Sequence, residues 1–254
     1  MPPRLNRVKE KLSSGQTAMI VGGTDDADHI DQLCQIGFDG IWLEGEHGPV
    51  DFKDIGNLTR ACDLWGATSI VRVNQNEQGL IYRTLDRGAQ GIVVPHVNTK
   101  EEAENVVAGG KFPPAGLRGM FTSRQGFGVE DYFVTANDQT LLVILIEDII
   151  AVQNLDAILT VDNIDVFFVA PADLAASMGH IGELQHPEVI ETIDGALKKI
   201  IEYGRTAGTL VNNSNVEKFA SAGVRMLYTV QWPWIEAGAK EFRSQVEKGT
   251  RNRK

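Results

Sequence analysis

A (β/α)8 barrel is the fold class this sequence predicts, and three observations predict it. Eight short apolar runs punctuate the chain, most of them continuous rather than alternating, as strands buried on both faces are. Amphipathic segments lie between them, and several end in glycine, the residue that closes helices best. The chain has 254 residues, about the length such a barrel takes. An open doubly wound sheet is the rival arrangement. No G-x-G-x-x-G follows an early strand, because Gly22-Gly23 leads into Thr24-Asp25-Asp26, so a dinucleotide fold is not supported.

Taken in order, the strand candidates are residues 17–22, 40–43, 68–73, 91–95, 141–147, 166–170, 206–210 and 225–230. Residues 25–36 read as a helix, with Ile30, Leu33 and Ile36 at helical spacing. Residues 51–65 start at an Asp and place Ile55, Leu58, Ala61, Cys62 and Trp65 on one side. Residues 78–87, 100–108, 149–160, 187–203 and 216–222 follow the same pattern. Gly37, Gly66, Gly88, Gly204 and Gly223 stand where helices should close. The longest gap, 98–139, holds one helix and then a Gly- and Arg-containing loop around 118–128. At a strand's exit such a loop would be a lid.

The formal net charge is −10. Without a basic stretch beyond its last few residues, the chain is a poor candidate for nucleic acid. Its apolar runs are too short to span a bilayer, and the N-terminus has no apolar signal core. The two cysteines, Cys34 and Cys62, form no CxxC pair. A single cytoplasmic domain over 1–254 is the expectation, with a frayed basic tail at 248–254.

The chemistry lies at the strand ends, because a barrel's C-terminal rim carries its active site. The second run leads into Glu44-Gly45-Glu46-His47-Gly48-Pro49, and the third ends Arg72-Val73-Asn74. The fourth ends Pro95-His96, the fifth Glu147-Asp148, and the sixth Ala170-Pro171-Ala172-Asp173. Singly, each has a plain alternative. Asp173, or the Glu147-Asp148 pair, could cap the next helix, and His47 could be a surface turn residue. Arg72 inside an apolar strand needs an anion, and a missing partner would be a bound one. His29 and His186 read as solvated. Two carboxylates on adjacent strands with nothing softer nearby favour Mg2+ or Mn2+. The set suggests metal-assisted chemistry on a small anion, with Arg72 stabilising negative charge and His47 as general base.

At these residues the sequence resembles the metal-dependent (class II) 2-keto-acid aldolases of the 4-hydroxy-2-oxoheptanedioate aldolase family, within the phosphoenolpyruvate/pyruvate-barrel superfamily. The resemblance rests on Glu46-His47-Gly48-Pro49, Val71-Arg72-Val73-Asn74, Leu85-Asp86-Arg87-Gly88-Ala89-Gln90-Gly91, Pro113-Pro114-Ala115-Gly116-Leu117-Arg118-Gly119, Ile146-Glu147 and Pro171-Ala172-Asp173-Leu174. It runs from about residue 37 to 225. It implies Glu147 and Asp173 as ligands of a divalent metal, Mg2+ or Mn2+ with Co2+ or Zn2+ as alternatives. It implies Arg72 as the group stabilising a pyruvate enolate and His47 as the base. Asp86 would raise the basicity of His47, across a subunit interface, and Ala172 would bind substrate through its backbone. A 2-keto acid and an aldehyde would be the substrates. The assembly would be a trimer or hexamer with the last helix, 235–246, exchanged between neighbours.

Four features depart from the family pattern. Glu44 stands where the family has aspartate, one methylene longer beside the His47 network. Leu145 stands at the substrate-binding position where the family has glutamine, and a leucine cannot donate to a carboxylate. His96 replaces an apolar residue and could serve as a second acid/base or pack as a hydrogen-bonded ring. Trp232-Pro233-Trp234 would either narrow the acceptor pocket or form a subunit contact, with contacts favoured. An oxaloacetate decarboxylase or citramalyl-type lyase would use the same site, and a non-catalytic keto-acid-binding barrel is the remaining alternative.

Overall fold

The computed structural model describes residues 2–251. Eight parallel strands close in sequence order, from β1 (Ala18–Gly22) to β8 (Met226–Val230), which pairs back onto β1. Between them run β2 (Gly40–Glu44), β3 (Thr68–Arg72), β4 (Gly91–Val94), β5 (Leu141–Ile146), β6 (Val166–Val169) and β7 (Ala207–Leu210). All eight expected strands are present, and each boundary falls within a residue or so of its apolar run. A strand flanked by barrel interior and helix layer has no polar face, so its length can be read from hydrophobicity alone.

Alternate residues face the two layers. Inside, Ile20, Trp42, Ile70, Val93, Val143 and Phe168 pack in one cluster. Outside, Val21, Ile41, Val71, Ile92 and Ile144 pack against the helices. Those helices are α2 (Ala27–Ile36), α3 (Phe52–Leu64), α4 (Gln78–Asp86), α5 (Lys100–Gly110), α6 (Tyr132–Gln139), α7 (Ile149–Gln153), α8 (Leu155–Ile158), α9 (Pro171–Ser177), α10 (Pro187–Glu202), α11 (Val216–Ser221) and α12 (Trp232–Arg251). The five expected glycine stops all have left-handed backbones, φ running from 62° at Gly66 to 112° at Gly88. The expected helix over 149–160 is instead two short ones that meet at Asn154, whose side chain donates to the Asn98 carbonyl (2.8 Å).

One element escaped the pattern. Helix α1 (Arg7–Ser13) sits under the barrel and drives Val8 and Leu12 into the interior cluster. Burying two such side chains contributes about 1.5–3 kcal/mol each. Asn6 fixes it there, accepting from Lys9 N (3.1 Å) and Thr68 Oγ1 (3.0 Å) and donating to the Gln90 and Gln139 carbonyls (3.0 Å each). Helix α12 is continuous through Arg251, and 252–254 of the expected frayed tail lie outside the described residues. None of its described side chains is buried. No described helix is long and apolar enough to cross a membrane.

The segment at 118–128 is not at a strand exit. It follows the foot of α5 and returns through α6 to the start of β5, so it belongs to the opposite end of the barrel from Glu147. There Gln125 donates to the Gly88 carbonyl (2.7 Å) and Arg124 to Thr59 Oγ1 (2.9 Å). It does not cover its own barrel's mouth.

Candidate active site

Register brings the rim residues together. Glu44 and Arg72 are direct neighbours across β2 and β3, and Arg72 is the neighbour of Val93 on β4. Both side chains point inward, at the layer above Trp42 and Ile70. Arg72 Nε donates to both Glu44 oxygens (2.9 and 2.8 Å), and its Nη2 lies 2.8 Å from Oε2. Its Nη1 lies 2.8 Å from Glu46 Oε2. Arg72 therefore finds its anion within the chain, twice over, and needs no bound partner to be buried. The Glu46 contact is an ion pair without hydrogen-bond alignment, which leaves that buried oxygen unsatisfied.

The turn after β2 makes this geometry. Glu44 Oε1 accepts from the backbone N–H of Glu46 (2.8 Å) and His47 (3.1 Å), so the loop wraps over its own carboxylate. Gly48 permits the approach, since a Cβ there would stand 2.7 Å from the Glu44 carbonyl and 2.8 Å from its Cγ. Burial pushes the Glu44 carboxyl up, but the hydrogen bonds and charge of Arg72, with the two N–H groups, outweigh it and hold it below its ordinary range. His47 itself is exposed.

Glu147 follows β5 and is 3% exposed. Asp148 is the cap that the sequence allowed for the Glu147-Asp148 pair. It accepts from Ile150 N (2.8 Å) and so leaves Glu147 free of the helix start. Asp173 is no cap. It is the third residue of α9, after Pro171, and is exposed. Ala172 is exposed beside it. Burial raises the Glu147 carboxyl above its ordinary range. His96 pulls it back through its backbone N–H and ring, and the charges of Asp173 and Glu46 push it further up.

His96 belongs to the site, although the sequence left its role open. Its N–H donates to Glu147 Oε1 (2.6 Å), and its ring spans Glu147 (3.2 Å from Nδ1) and Glu46 (3.4 Å from Nε2). Its φ of 55° puts a non-glycine residue in the left-handed region, a strain that persists only where the surroundings enforce it. Glu46 was missed as a site residue. It shares the turn with Glu44, and only the fold shows that both carboxylates reach Arg72. Below them Tyr228 stacks on Trp42, ring centroids 4.4 Å apart, and forms the floor.

Two expected positions lie away from this group. Asp86 ends α4 near the start of β4, at the other end of the barrel, where it accepts from Arg118 Nη2 (2.7 Å). Within one chain it does not meet His47. Leu145 is sealed inside the barrel two residues before Glu147, 1% exposed and paired in register with Phe168.

Three carboxylates, Glu44, Glu46 and Glu147, thus converge on Arg72 and His96, with Asp173 close enough for its charge to act on Glu147. A model of the HpcH/HpaI aldolase/citrate lyase family matches residues 17–228. The chain belongs to this family. It is 36% identical over 236 residues to a hydroxypyruvate/pyruvate aldolase of Roseobacter denitrificans, covering 89% of this chain and 91% of that one. It is 34% identical over 239 residues to a 2-keto-3-deoxy-L-rhamnonate aldolase of Klebsiella pneumoniae, covering 88% and 89%. A crystal structure of an HpcH/HpaI family protein from Burkholderia cenocepacia superposes with a TM-score of 0.89 at 27% identity, over 95% of this chain and 99% of that one. This HpcH/HpaI protein is an enzyme, a carbon–carbon lyase of a metal-dependent class II aldolase family.

Proposed function

We propose that the enzyme cleaves and forms 4-hydroxy-2-keto acids through a pyruvate-type enolate, using a divalent cation held by Glu147 and Asp173. The observation that carries this is the charge imbalance at the mouth. Among the described residues Glu44, Glu46 and Glu147 meet Arg72 and the His96 ring, and Glu147 is raised by burial and then further by the charges of Asp173 and Glu46. A hard cation with oxygen ligands, Mg2+ or Mn2+, fits that surplus. When bound, it supplies Lewis acidity to the substrate's keto oxygen.

The chain's own residues do the rest. A guanidinium has five N–H donors; Arg72 Nε donates to Glu44, and its Nη1 and Nη2 lie 2.8 Å from Glu46 and Glu44. Its charge is placed to stabilise the enolate oxygen as it develops. In the cleavage direction His47, directly or through water, takes the proton of the C4 hydroxyl. The C3–C4 bond breaks, its electron pair forms the enolate, and the aldehyde leaves. Protonation at C3 then gives pyruvate. Ala172, at the start of α9, offers its backbone N–H to the substrate carboxylate. Leu145 takes no polar part, because it is sealed below the site, and this makes hydroxypyruvate or pyruvate donors depend on Arg72 and the helix start.

Asp86 can serve His47 only from a neighbouring copy. An oligomer, trimer or hexamer, is supported by α12, which buries none of its described residues and leaves Ile235, Phe242 and Val246 exposed. Beside it a cavity of about 690 Å3 runs between α10 and α11, lined by Ile190, Ile193, Leu210 and Phe219. That slot suits an exchanged helix, and Trp232 and Trp234 would sit at the crossing. The chain's −10 charge argues against nucleic-acid partners.

The test is exchange of pyruvate methyl protons in deuterated water, followed by NMR with and without Mn2+. The expected result is metal-dependent exchange that falls by about 10²–10³-fold in Arg72→Ala and disappears in Glu147→Ala. No exchange in the metal-loaded parent would sink the pyruvate enolate. Exchange unaffected by Glu147→Ala would sink the assigned metal ligand.

A further inference from the structure

Outside the barrel mouth, the turn between α9 and α10 gathers a second set of metal-ligating side chains. His180, Glu183 and His186 recur every third residue through two successive turns. Glu183 N donates to the His180 carbonyl and His186 N to the Glu183 carbonyl, both at 2.9 Å. The three side chains consequently face one another, with ligand atoms all within 4.8 Å. The two imidazoles lie 3.7 Å apart and 20° from parallel. His186, expected to be solvated, is half-buried, and its Nδ1 is buried with no hydrogen-bond partner among the described residues. A buried ring nitrogen left unpaired is costly unless something binds it.

We propose that His180, Glu183 and His186 form a second metal site, for a zinc-class ion, which pins the turn joining α9 to α10. Two imidazoles and one carboxylate suit a borderline ion such as Zn2+, whereas the carboxylate ligands proposed at the mouth, Glu147 and Asp173, suit Mg2+ or Mn2+. Glu188 Oε2 lies 3.3 Å from His180 Nε2. A carboxylate there holds the proton on Nε2 and leaves Nδ1 as the ligand, and Nδ1 is the atom that lies 3.5 Å from Glu183 Oε2. Closing on an ion at about 2.0 Å per nitrogen takes rotation of the stacked rings about their Cβ–Cγ bonds. The turn also carries Ile181 and Leu184, 82% and 38% exposed. It continues directly from α9, whose first turn bears Asp173. Pinning it therefore stiffens the segment behind that carboxylate.

The experiment uses the full-length, metal-stripped protein with Glu147→Gln and Asp173→Asn, which silences the mouth. Zn2+ is titrated in by calorimetry, and the loaded protein is examined by zinc X-ray absorption. The expected result is one zinc per chain with two imidazole ligands. His180→Ala and His186→Ala should each abolish it. Glu188→Gln should weaken it by about tenfold or more. Near-UV circular dichroism matching the parent establishes that each variant is folded, and Glu183→Gln, an isosteric change on an exposed turn, gives an independent loss of affinity. Unchanged zinc stoichiometry in both histidine variants, zinc without imidazole ligands, or no zinc bound at all would each overturn the proposal. None of these results depends on aldolase activity, so the two readings fail separately.

Discussion

The two ends of the barrel use their charged groups in opposite ways. At the foot, three carboxylates each hold two cations. Asp39, fully buried, takes Arg7 (3.0 Å) and Lys11 (2.8 Å). Asp165 takes Lys9 (2.6 Å) and Lys111 (3.9 Å), and Asp63 takes Arg4 (3.3 Å) and Arg124 (2.6 Å). These pairs tie α1, the 118–128 excursion and the helix ends together. At the mouth the ratio reverses, with Glu44, Glu46 and Glu147 gathered on one arginine and one histidine ring. Buried charge that is balanced anchors structure; buried charge in surplus marks a place that binds something. The foot is a clasp and the mouth is a receptor.

The comparison can be broken at the foot first, where the stability effect should be largest. Asp39→Ala removes the shared partner of Arg7 and Lys11 and leaves Met19 N, which donates to Asp39 Oδ2 (2.9 Å), without its acceptor. A loss of about 3 kcal/mol is expected, read as a lower urea midpoint with unchanged slope. A loss below about 0.5 kcal/mol would mean that these ion pairs are screened by solvent and anchor nothing. Gly48→Ala acts at the mouth and should cost less stability than Asp39→Ala. Its Cβ would press on the Glu44 backbone and displace the His47 turn, lowering kcat by about tenfold or more. Retention of full kcat would show that the turn's position does not matter.

The smallest effect is pH-dependent. Glu44 is held below its ordinary range in the folded state, so its contribution is present above the unfolded carboxylate value and fades as pH falls through the folded one. Glu44→Gln should therefore cost stability at neutral pH, and the difference from the parent should shrink as pH drops from about 5 toward 3. A difference that stays constant with pH would mean packing, not charge, explains Glu44.

The contrast between the ends also explains what could be read beforehand. The strands were legible because burial on both faces leaves only apolar residues, and Glu44, Arg72, Glu147 and Asp173 stood out because they interrupt or end those runs. Helix α1 was not, because RVKEKLS has only Val8 and Leu12 to bury and five polar residues around them. The 118–128 excursion was misplaced because its position between β4 and β5 does not say whether it precedes or follows the intervening helix's foot. Arg72's partners were hidden by Gly45 and Gly48, whose backbone folds Glu44 and Glu46 to the same guanidinium. His180, Glu183 and His186 looked like a loop, since a two-turn repeat too short to be a helix leaves no periodic signal.

The most direct test of the central claim sets Glu147→Gln beside Asp39→Asn, with melting measured in metal-free buffer and again with Mn2+. If the mouth is in charge surplus, neutralising Glu147 should raise the metal-free midpoint and erase the rise that Mn2+ gives the parent, while Asp39→Asn should lower the midpoint and keep the Mn2+ response. If Glu147→Gln instead melts earlier than the parent without metal and still responds to Mn2+, Glu147 is an anchor like Asp39, and the mouth is not the cation site.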